Sequence, residues 1–214
     1  SEGVHYCGYP ISELAAFEPE DIVYLLFNKE LPNADQSTAI RQDLASRAAV
    51  PGDLESVLKT LPKLGHPMDW LSVGIHTLGM METTNNWKDD ALNLIARMPR
   101  LMGLIFRIRE GREDNIPSDD TSLSMVERFI RCLDLHDANT EKMKRIISTY
   151  LVLHMDHGGG NLSTFAGKAI ASSKATVYSA MAGAMNALSG PLHGRANQSC
   201  LEFVLKVGTS DPVE

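Results

Sequence analysis

Two histidine-containing segments have the residue types and spacing best suited to chemistry. The first contains His154, Asp156 and His157 and runs into three glycines, and the second places His193 between glycines. Histidine can exchange protons or hydrogen-bond a polarised oxygen near neutral pH. Neighbouring glycines let backbone or ligand approach closely. A stretch of small and apolar residues separates the two segments, and we expect His157 and His193 to face one cavity.

The elements that must position these histidines are predicted to be helices. Apolar residues recur at helical spacing along almost the whole chain, and no strand-period alternation of useful length appears. The sequence therefore predicts an all-α fold. Predicted helices cover 18–27, 35–49, 53–61 with Asp53 as its cap, 67–81, 88–110, 124–133, 140–154, 163–172, 176–188 and 196–207.

One predicted helix has an unusual composition. Residues 88–110 include Pro99, and a proline inside a helix kinks it or splits it in two. An apolar stripe runs along this helix, and several arginines lie off the stripe. We interpret these arginines as a basic face exposed to solvent. They are Arg100, Arg107, Arg109 and Arg112.

Composition limits the class of protein. The 214 residues are 43% hydrophobic and 22% charged, which suits one soluble domain with a sizeable core. The net charge of -7 and the scattered Lys and Arg residues argue against a nucleic-acid partner. No apolar run approaches the ~20 residues of a membrane span, so no membrane partner is expected. Cys7, Cys132 and Cys200 are far apart and odd in number, which indicates free thiols in a reducing compartment.

Two metal-dependent alternatives follow from the histidines. His154 and His157 would share a helix face with Asp156 between them, and imidazole and carboxylate are common metal ligands. His136 and Asp137 form the dipeptide of helical, metal-dependent phosphohydrolases of the HD type, although they fall in a predicted turn. A spacing of two histidines is a weak signal by itself, and neither alternative is preferred.

The two histidine segments together carry a family resemblance. His-x-Asp-His followed by glycines and Asn161, a small-residue helix pair, and then Gly-Pro-Leu-His-Gly with Ala-Asn-Gln resemble the citrate synthase family. The run 154–198 resembles the centre of that family. The segment 6–14, with Cys7 where the family frequently has Arg, and the Pro-Met-Asp that begins at Pro67 are similar to further parts of it.

The resemblance implies a fold, a reaction and roles for three residues. The fold would be the multi-helix large domain of citrate synthase type. The family condenses acetyl-CoA, or a short acyl-CoA, with oxaloacetate to form citrate in the tricarboxylic acid cycle. His157 would bind oxaloacetate and polarise its carbonyl, Asn161 would support that site, and His193 would stabilise the enol of acetyl-CoA. Acetyl-CoA would be a substrate, and no cofactor or metal is expected.

Other parts of the family pattern do not occur in the sequence. The second catalytic histidine, the catalytic aspartate and the arginines that bind the oxaloacetate carboxylates all lie downstream in the family. We therefore expect 1–207 to be a large helical domain, incomplete at its N-terminus, and 208–214 to be a tail or the start of a linker to a missing small domain. We expect a chain of 214 residues to be inactive alone. The alternative is an inactive, dimeric helical scaffold with a partial oxaloacetate pocket.

The small residues of the last helices also predict assembly. They are too numerous for the exposed face of a monomer, and two-fold dimers are the commonest assemblies. We expect a homodimer that uses the helices near 67–81 and 99–108 together with the small-residue pair. Localisation would be cytoplasmic, or the mitochondrial matrix in a eukaryote. The small residues are Ala166, Gly167, Ala169, Ala171, Ala180, Ala182, Gly183 and Ala184.

Overall fold

A computed structural model describes residues 3–84, 86–118, 120–134, 140–156 and 158–208. These ranges contain eleven α-helices, one short 3-10 helix and two strands of two residues each. The predicted all-α fold is confirmed. His157, together with His136 and Asp137 of the phosphohydrolase alternative, lies outside the described residues.

The elements follow the chain in a simple order. The strands β1 (His5–Tyr6) and β2 (Tyr9–Pro10) form an antiparallel hairpin before the first helix. The two turn residues between them, Cys7 and Gly8, both have positive φ, as a tight two-residue hairpin turn requires. The helices are α1 (Ile11–Leu14), α2 (Pro19–Asn28), α3 (Ala34–Arg47), α4 (Gly52–Lys59), α5 (Pro67–Glu82), α6 (Trp87–Arg109), α7 (Met125–Leu133), α8 (Thr140–His154), α9 (Leu162–Ala171), α10 (Val177–Leu188) and α11 (Arg195–Gly208).

Local capping explains where most helices begin. Ser124 and Glu127 form a complete capping box at α7, and His66 with Asp69 forms one at α5. The predicted cap at Asp53 is wrong, because the N-cap of α4 is Pro51 and Asp53 lies in the first turn. Pro99 does not split α6, which runs unbroken through 23 residues.

The main core lies between α4, α5, α6 and α10. Trp70 of α5, Leu101 of α6 and Tyr178 of α10 are almost fully buried in it. Glycines on α5 allow the neighbouring helices to approach closely. A Cβ at Gly74 would lie 2.7 Å from Leu101 Cδ1, and one at Gly79 would lie 2.6 Å from Tyr178 Cβ. Substitution at Gly79 would therefore force α5 and α10 apart, and substitution at Gly74 would require the Leu101 side chain to shift.

The small residues of α9 and α10 are partly used within the chain. A Cβ at Gly167 would lie 3.3 Å from Ala184 Cβ, and one at Gly183 would clash with Ile170. Ala182 is fully buried. Close packing of α9 on α10 therefore accounts for several of the residues that the sequence assigned to a dimer interface. The apolar stripe of α6 in the segment 99–108 is likewise core rather than surface.

The predicted solvent-exposed basic face of α6 is wrong. Arg107 is 2% exposed and donates a hydrogen bond from Nε to the Cys132 carbonyl oxygen. The neighbouring arginines are also held by backbone carbonyl oxygens, which need donors at helix ends and in loops. The acceptors of Arg100, Arg109 and Arg112 are the carbonyl oxygens of Pro117, Gly65 and Leu133, respectively. Arg107 and Arg112 therefore hold the end of α7, Arg109 holds the loop before α5, and Arg100 holds the loop that follows α6.

Two further expectations can be compared with the described residues. The three cysteines are free thiols, with Cys132 buried and Cys200 exposed. In the part of the chain that the structure describes, no helix is both long and apolar enough to cross a membrane.

Candidate functional site

The N-terminus of α9 forms one side of the candidate site. Asn161 is the N-cap of this helix, and its Oδ1 accepts a hydrogen bond from the Ser163 backbone N–H at 3.1 Å. The Ser163 hydroxyl donates to the same oxygen at 2.6 Å. Asn161 thereby satisfies an amide that the helix leaves unpaired and also fixes the Ser163 side chain, which is buried.

His193 forms the other side of the site. It lies in the tight turn between α10 and α11 and is half-buried. Its Nε2 lies 3.2 Å from Ser163 Oγ and 3.4 Å from the Ser163 backbone nitrogen. The His193 ring is therefore held at the first turn of α9, and Asn161 supports it through Ser163.

The turn that carries His193 depends on Gly194. The Gly194 backbone N–H donates to the Leu188 carbonyl oxygen at 2.9 Å, and the His193 N–H donates to Gly190 at 3.0 Å. A Cβ at Gly194 would lie only 2.5 Å from the Leu188 oxygen. Glycine after the histidine is thus required by a close backbone approach, as the sequence suggested for these glycines.

The predicted site residues are brought together only in part. The structure joins Asn161 to His193, while His157 lies outside the described residues and its position relative to His193 remains a prediction. Ser163, which connects the two, was missed by the sequence analysis. An Asn-x-Ser sequence at a predicted helix start is a signal that could have indicated it, because both side chains can hydrogen-bond the free amides there.

His154 has a different environment from His193. Its Nδ1 lies 2.7 Å from the Tyr150 carbonyl oxygen, one turn back along α8, and its ring stacks on Tyr150 with centroids 4.2 Å apart. The last turn of its own helix therefore holds this ring. Among the described residues there is no group of three or more His, Cys, Asp or Glu side chains that could hold a metal ion.

A cleft of about 1020 Å³ opens beside the Ser163 end of the site. Asp156, Gly158 and Gly159 line one part of it, α9, α10 and the loop between them line most of the rest, and Trp87 and Asp90 of α6 complete it. Its lining is largely apolar, and a Cβ at Gly159 would lie 3.4 Å from Lys168 Nζ. The volume suits a small organic ligand, since such pockets usually measure about 300–1,000 Å³. The apolar residues that line the cleft include Met155, Met181, Met185 and Leu188.

A buried polar network holds α10 beneath the cleft. The Tyr178 hydroxyl donates a 2.7 Å hydrogen bond to Glu82 Oε1, and the same carboxylate pairs with Arg97. Burial, and then the hydrogen bond to Glu82, raise the pKa of Tyr178 above its usual value. The Tyr178 hydroxyl therefore stays protonated and acts as a fixed donor between α5 and α10.

Comparison with known proteins identifies the family. The family model for the C-terminal domain of citrate synthase matches residues 1–214. Citrate synthase 4, mitochondrial, of Arabidopsis thaliana is 34% identical over 203 residues, covering 88% of this chain and 42% of the relative. The 2-methylcitrate synthase, mitochondrial, of Yarrowia lipolytica is 30% identical over 205 residues, covering 88% of this chain and 43% of that protein.

Solved structures show the same relationship. The citrate synthase of Thermotoga maritima superposes with a TM-score of 0.84 at 26% identity, covering 97% of this chain and 55% of that one. The citrate synthase of Pyrobaculum aerophilum has the same TM-score at 27% identity, covering 95% and 54%.

The described residues are almost entirely helical, and the turn that carries His193 contacts the N-terminus of α9. The chain belongs to the citrate synthase family, as its motifs indicated. It spans about half the length of the relatives that it matches. The comparisons give no support to the phosphohydrolase alternative.

Proposed function

We propose that the protein condenses acetyl-CoA, or a short acyl-CoA, with oxaloacetate to form citrate or a homologue of it. Family membership supports this reaction class. The single structural observation that carries the proposal is the contact between His193 Nε2 and Ser163. This contact holds the imidazole of His193 by one nitrogen and leaves the other available to substrate.

His193 would act on the thioester of acetyl-CoA. Removal of a proton from the methyl carbon develops negative charge on the thioester oxygen. A preorganised hydrogen-bond donor aimed at that oxygen lowers the barrier, commonly by ~2.7–4 kcal/mol for one donor. His193 would be that donor.

The proposed role requires a particular tautomer of His193. In this tautomer Nε2 is unprotonated and accepts from the Ser163 backbone N–H, while the Ser163 hydroxyl donates either to Nε2 or to Asn161 Oδ1. The proton is then on Nδ1, which becomes the donor for the substrate. The opposite tautomer would donate from Nε2 to Ser163 Oγ and would leave Nδ1 an acceptor, unable to stabilise an enolate oxygen.

Oxaloacetate is proposed to bind near His157, with Asn161 in support. Asp156 and Gly158, the neighbours of His157, line the same cleft as Ser163. This supports one pocket shared by His157 and Ser163. Asn161 would act indirectly, because its Oδ1 is committed to Ser163. Among the described residues that line the cleft, we assign neither the base that removes the methyl proton nor a second acid at the oxaloacetate carbonyl.

The domain assignment and the assembly are also proposals. We assign 1–207 to the large helical domain of the family and 208–214 to a tail or linker segment. A homodimer is supported by apolar side chains that remain exposed on α5 and α10, including Met80 and Met181. The Arabidopsis and Yarrowia relatives have "mitochondrial" in their names, which supports the mitochondrial matrix as the location, with the cytoplasm as the alternative.

The test is a thiol-release assay with oxaloacetate and either acetyl-CoA or propionyl-CoA. It is run on the protein expressed from its full coding sequence and on a polypeptide of residues 1–214. We expect oxaloacetate-dependent release from the former and little from the latter, because catalytic groups act as a unit and losing one removes most of the rate. Full turnover by residues 1–214 would contradict our assignment of roles. Oxaloacetate binding without turnover by either protein would favour the scaffold alternative.

A further inference from the structure

The start of α5 determines which ring nitrogen of His66 can donate a hydrogen bond. Its Nδ1 lies 3.2 Å from the Met68 backbone nitrogen, which it caps at the start of α5. Because an N–H group can only donate, Nδ1 must be the acceptor, and the proton of the neutral ring is on Nε2. That Nε2 lies 3.3 Å from Gln198 Oε1 on α11. His66 therefore donates a hydrogen bond across 132 positions of sequence.

Gln198 continues the same direction of donation. Its Nε2 lies 3.0 Å from Glu202 Oε1, one turn further along α11, and can only donate there. Reversing the amide would place two donors, Gln198 Nε2 and His66 Nε2, against each other. The hydrogen bonds therefore form one series in which every donor faces an acceptor. The Met68 N–H donates to His66, His66 donates to Gln198, and Gln198 donates to Glu202.

Hydrogen bonds from α5 and α6 hold the backbone around His66. The Trp70 indole donates to the Pro62 carbonyl oxygen at 3.2 Å, and Arg109 donates to the Gly65 carbonyl oxygen just before His66. The Arg109 guanidinium also lies 5.5 Å from the centroid of the Trp70 ring. The His66 backbone N–H in turn donates to Asp69 at 3.1 Å. These contacts hold the backbone around His66 to α5 and α6.

The helix that carries Gln198 has little other support among the described residues. No residue of α11 is buried, so core packing does not set its position. Its first turn is nevertheless continuous with the backbone of the candidate site. The Ala196 N–H donates to the His193 carbonyl oxygen at 3.1 Å, and the Asn197 N–H donates to Gly194 at 3.2 Å. A displacement of this turn would therefore move His193.

We propose that His66 and Gln198 are positioning residues for His193. Their hydrogen bond holds the first turn of α11 beside the start of α5. The backbone of this turn holds the His193 ring against Ser163. The inference rests on the proposed function of His193, because neither residue needs to touch a substrate. It gives His193 two supports, with Ser163 at its ring and His66 acting through α11 at its backbone.

Four variants separate this hydrogen bond from simpler effects. Gln198→Ala removes the acceptor, and Gln198→Glu combined with Glu202→Gln keeps one and keeps a donor opposite it. His66→Asn keeps a good helix cap but is too short to reach Gln198. Ser199→Ala is the matched control, an exposed position adjacent to Gln198 on α11.

The first measurement is the NMR of the His193 ring nitrogens and carbons in each variant. We expect Gln198→Ala and His66→Asn to shift the His193 signals, the double variant to shift them no further, and the exchange of Gln198→Glu with Glu202→Gln to leave them near their original positions. Ser199→Ala should leave them unchanged. Unchanged His193 signals in Gln198→Ala, or shifts that simply add in the double variant, would overturn the inference.

The second measurement is turnover of the protein expressed from its full coding sequence. We expect Gln198→Ala to lower kcat by roughly threefold to 10²-fold, the upper value being that of a ~1 Å misplacement, with KM for oxaloacetate unchanged. Loss through KM alone would contradict a role in positioning His193. If the unaltered protein shows no turnover, the proposed function fails, while the NMR comparison still decides whether His66 and Gln198 position His193.

Discussion

His193 Nε2 lies 3.2 Å from Ser163 Oγ although 30 positions separate the two residues. The contact exists because α9 and α10 pack closely through their small residues and because the turn after α10 folds back over the start of α9. This geometry brings a histidine that can donate or accept a proton to a helix N-terminus. It is the basis of the first prediction.

His193→Asn should lower kcat by about 10²–10³-fold, the usual effect of removing one oxyanion-stabilising donor. KM for oxaloacetate should change little, because His193 is assigned to the thioester. The measurement is steady-state thiol release by the protein expressed from its full coding sequence. The control is His76→Asn, at an exposed position on α5. A loss of less than about tenfold would exclude the proposed role of His193.

Asn161→Ala should lower the free energy of unfolding by about 0.5–2 kcal/mol, since it removes the N-cap of α9. Asn161→Asp should retain most of the stability, because a carboxylate can accept the same amide bond. Urea unfolding followed by circular dichroism measures both. Equal losses in the two variants would show that Asn161 does not act through the Ser163 amide.

Gly79→Ala should destabilise the protein by about 1–3 kcal/mol, the usual cost of overpacking a core. The new methyl group would lie 2.6 Å from Tyr178 Cβ, so α5 and α10 must separate. Gly52→Ala is the matched control, because that glycine begins α4 with no atom within 4 Å of the added carbon. Thermal unfolding of both variants checks the contrast, and similar melting temperatures would refute it.

Lys144→Met should weaken the protein near neutral pH but not in strong acid. The hydrogen bond from Lys144, followed by that from Ser124, lowers the pKa of Glu127 from 4.5 to about 2. A depressed carboxylate pKa adds stability above 4.5 that is lost as the pH falls toward 2. The difference between the two proteins should therefore be about 0.2–1 kcal/mol at pH 7 and shrink across that window.

Urea titrations at pH 7, 4 and 2 measure this difference. Lys59→Met is the control, because its pair with Glu55 joins two residues of one exposed helix face and should matter less. A difference between Lys144→Met and the unaltered protein that stays constant down to pH 2 would contradict the assigned linkage.

The protein should sediment as a two-fold dimer at micromolar concentration. Replacing both Met80 and Met181 by Lys places charges on exposed apolar positions of α5 and α10 and should shift the species toward monomer. Leu64→Lys changes a fully exposed apolar residue in a loop and should have no effect. Analytical ultracentrifugation decides the question, and an unaltered protein that is monomeric would refute the proposal.

The sequence by itself determined where most helices lie and which family the chain belongs to. Helix starts depend on residues within one turn, as in the capping boxes at His66 and Ser124. The Gly-Pro-Leu-His-Gly motif located His193 because its turn needs glycine for a close backbone approach. The hairpin at β1 was missed because two-residue strands show no alternation.

Only the tertiary structure decided how distant parts of the chain support the site. The contacts of Ser163 with His193 and of His66 with Gln198 join residues that are 30 and 132 positions apart, and neither pair has a periodic pattern. The sequence predicted a solvated face for the arginines between 100 and 112. Their acceptors are backbone carbonyl oxygens, which the sequence does not identify. Every residue has a backbone carbonyl oxygen. Whether that oxygen can accept a side-chain hydrogen bond depends on where helices end in the folded protein, which the sequence does not show.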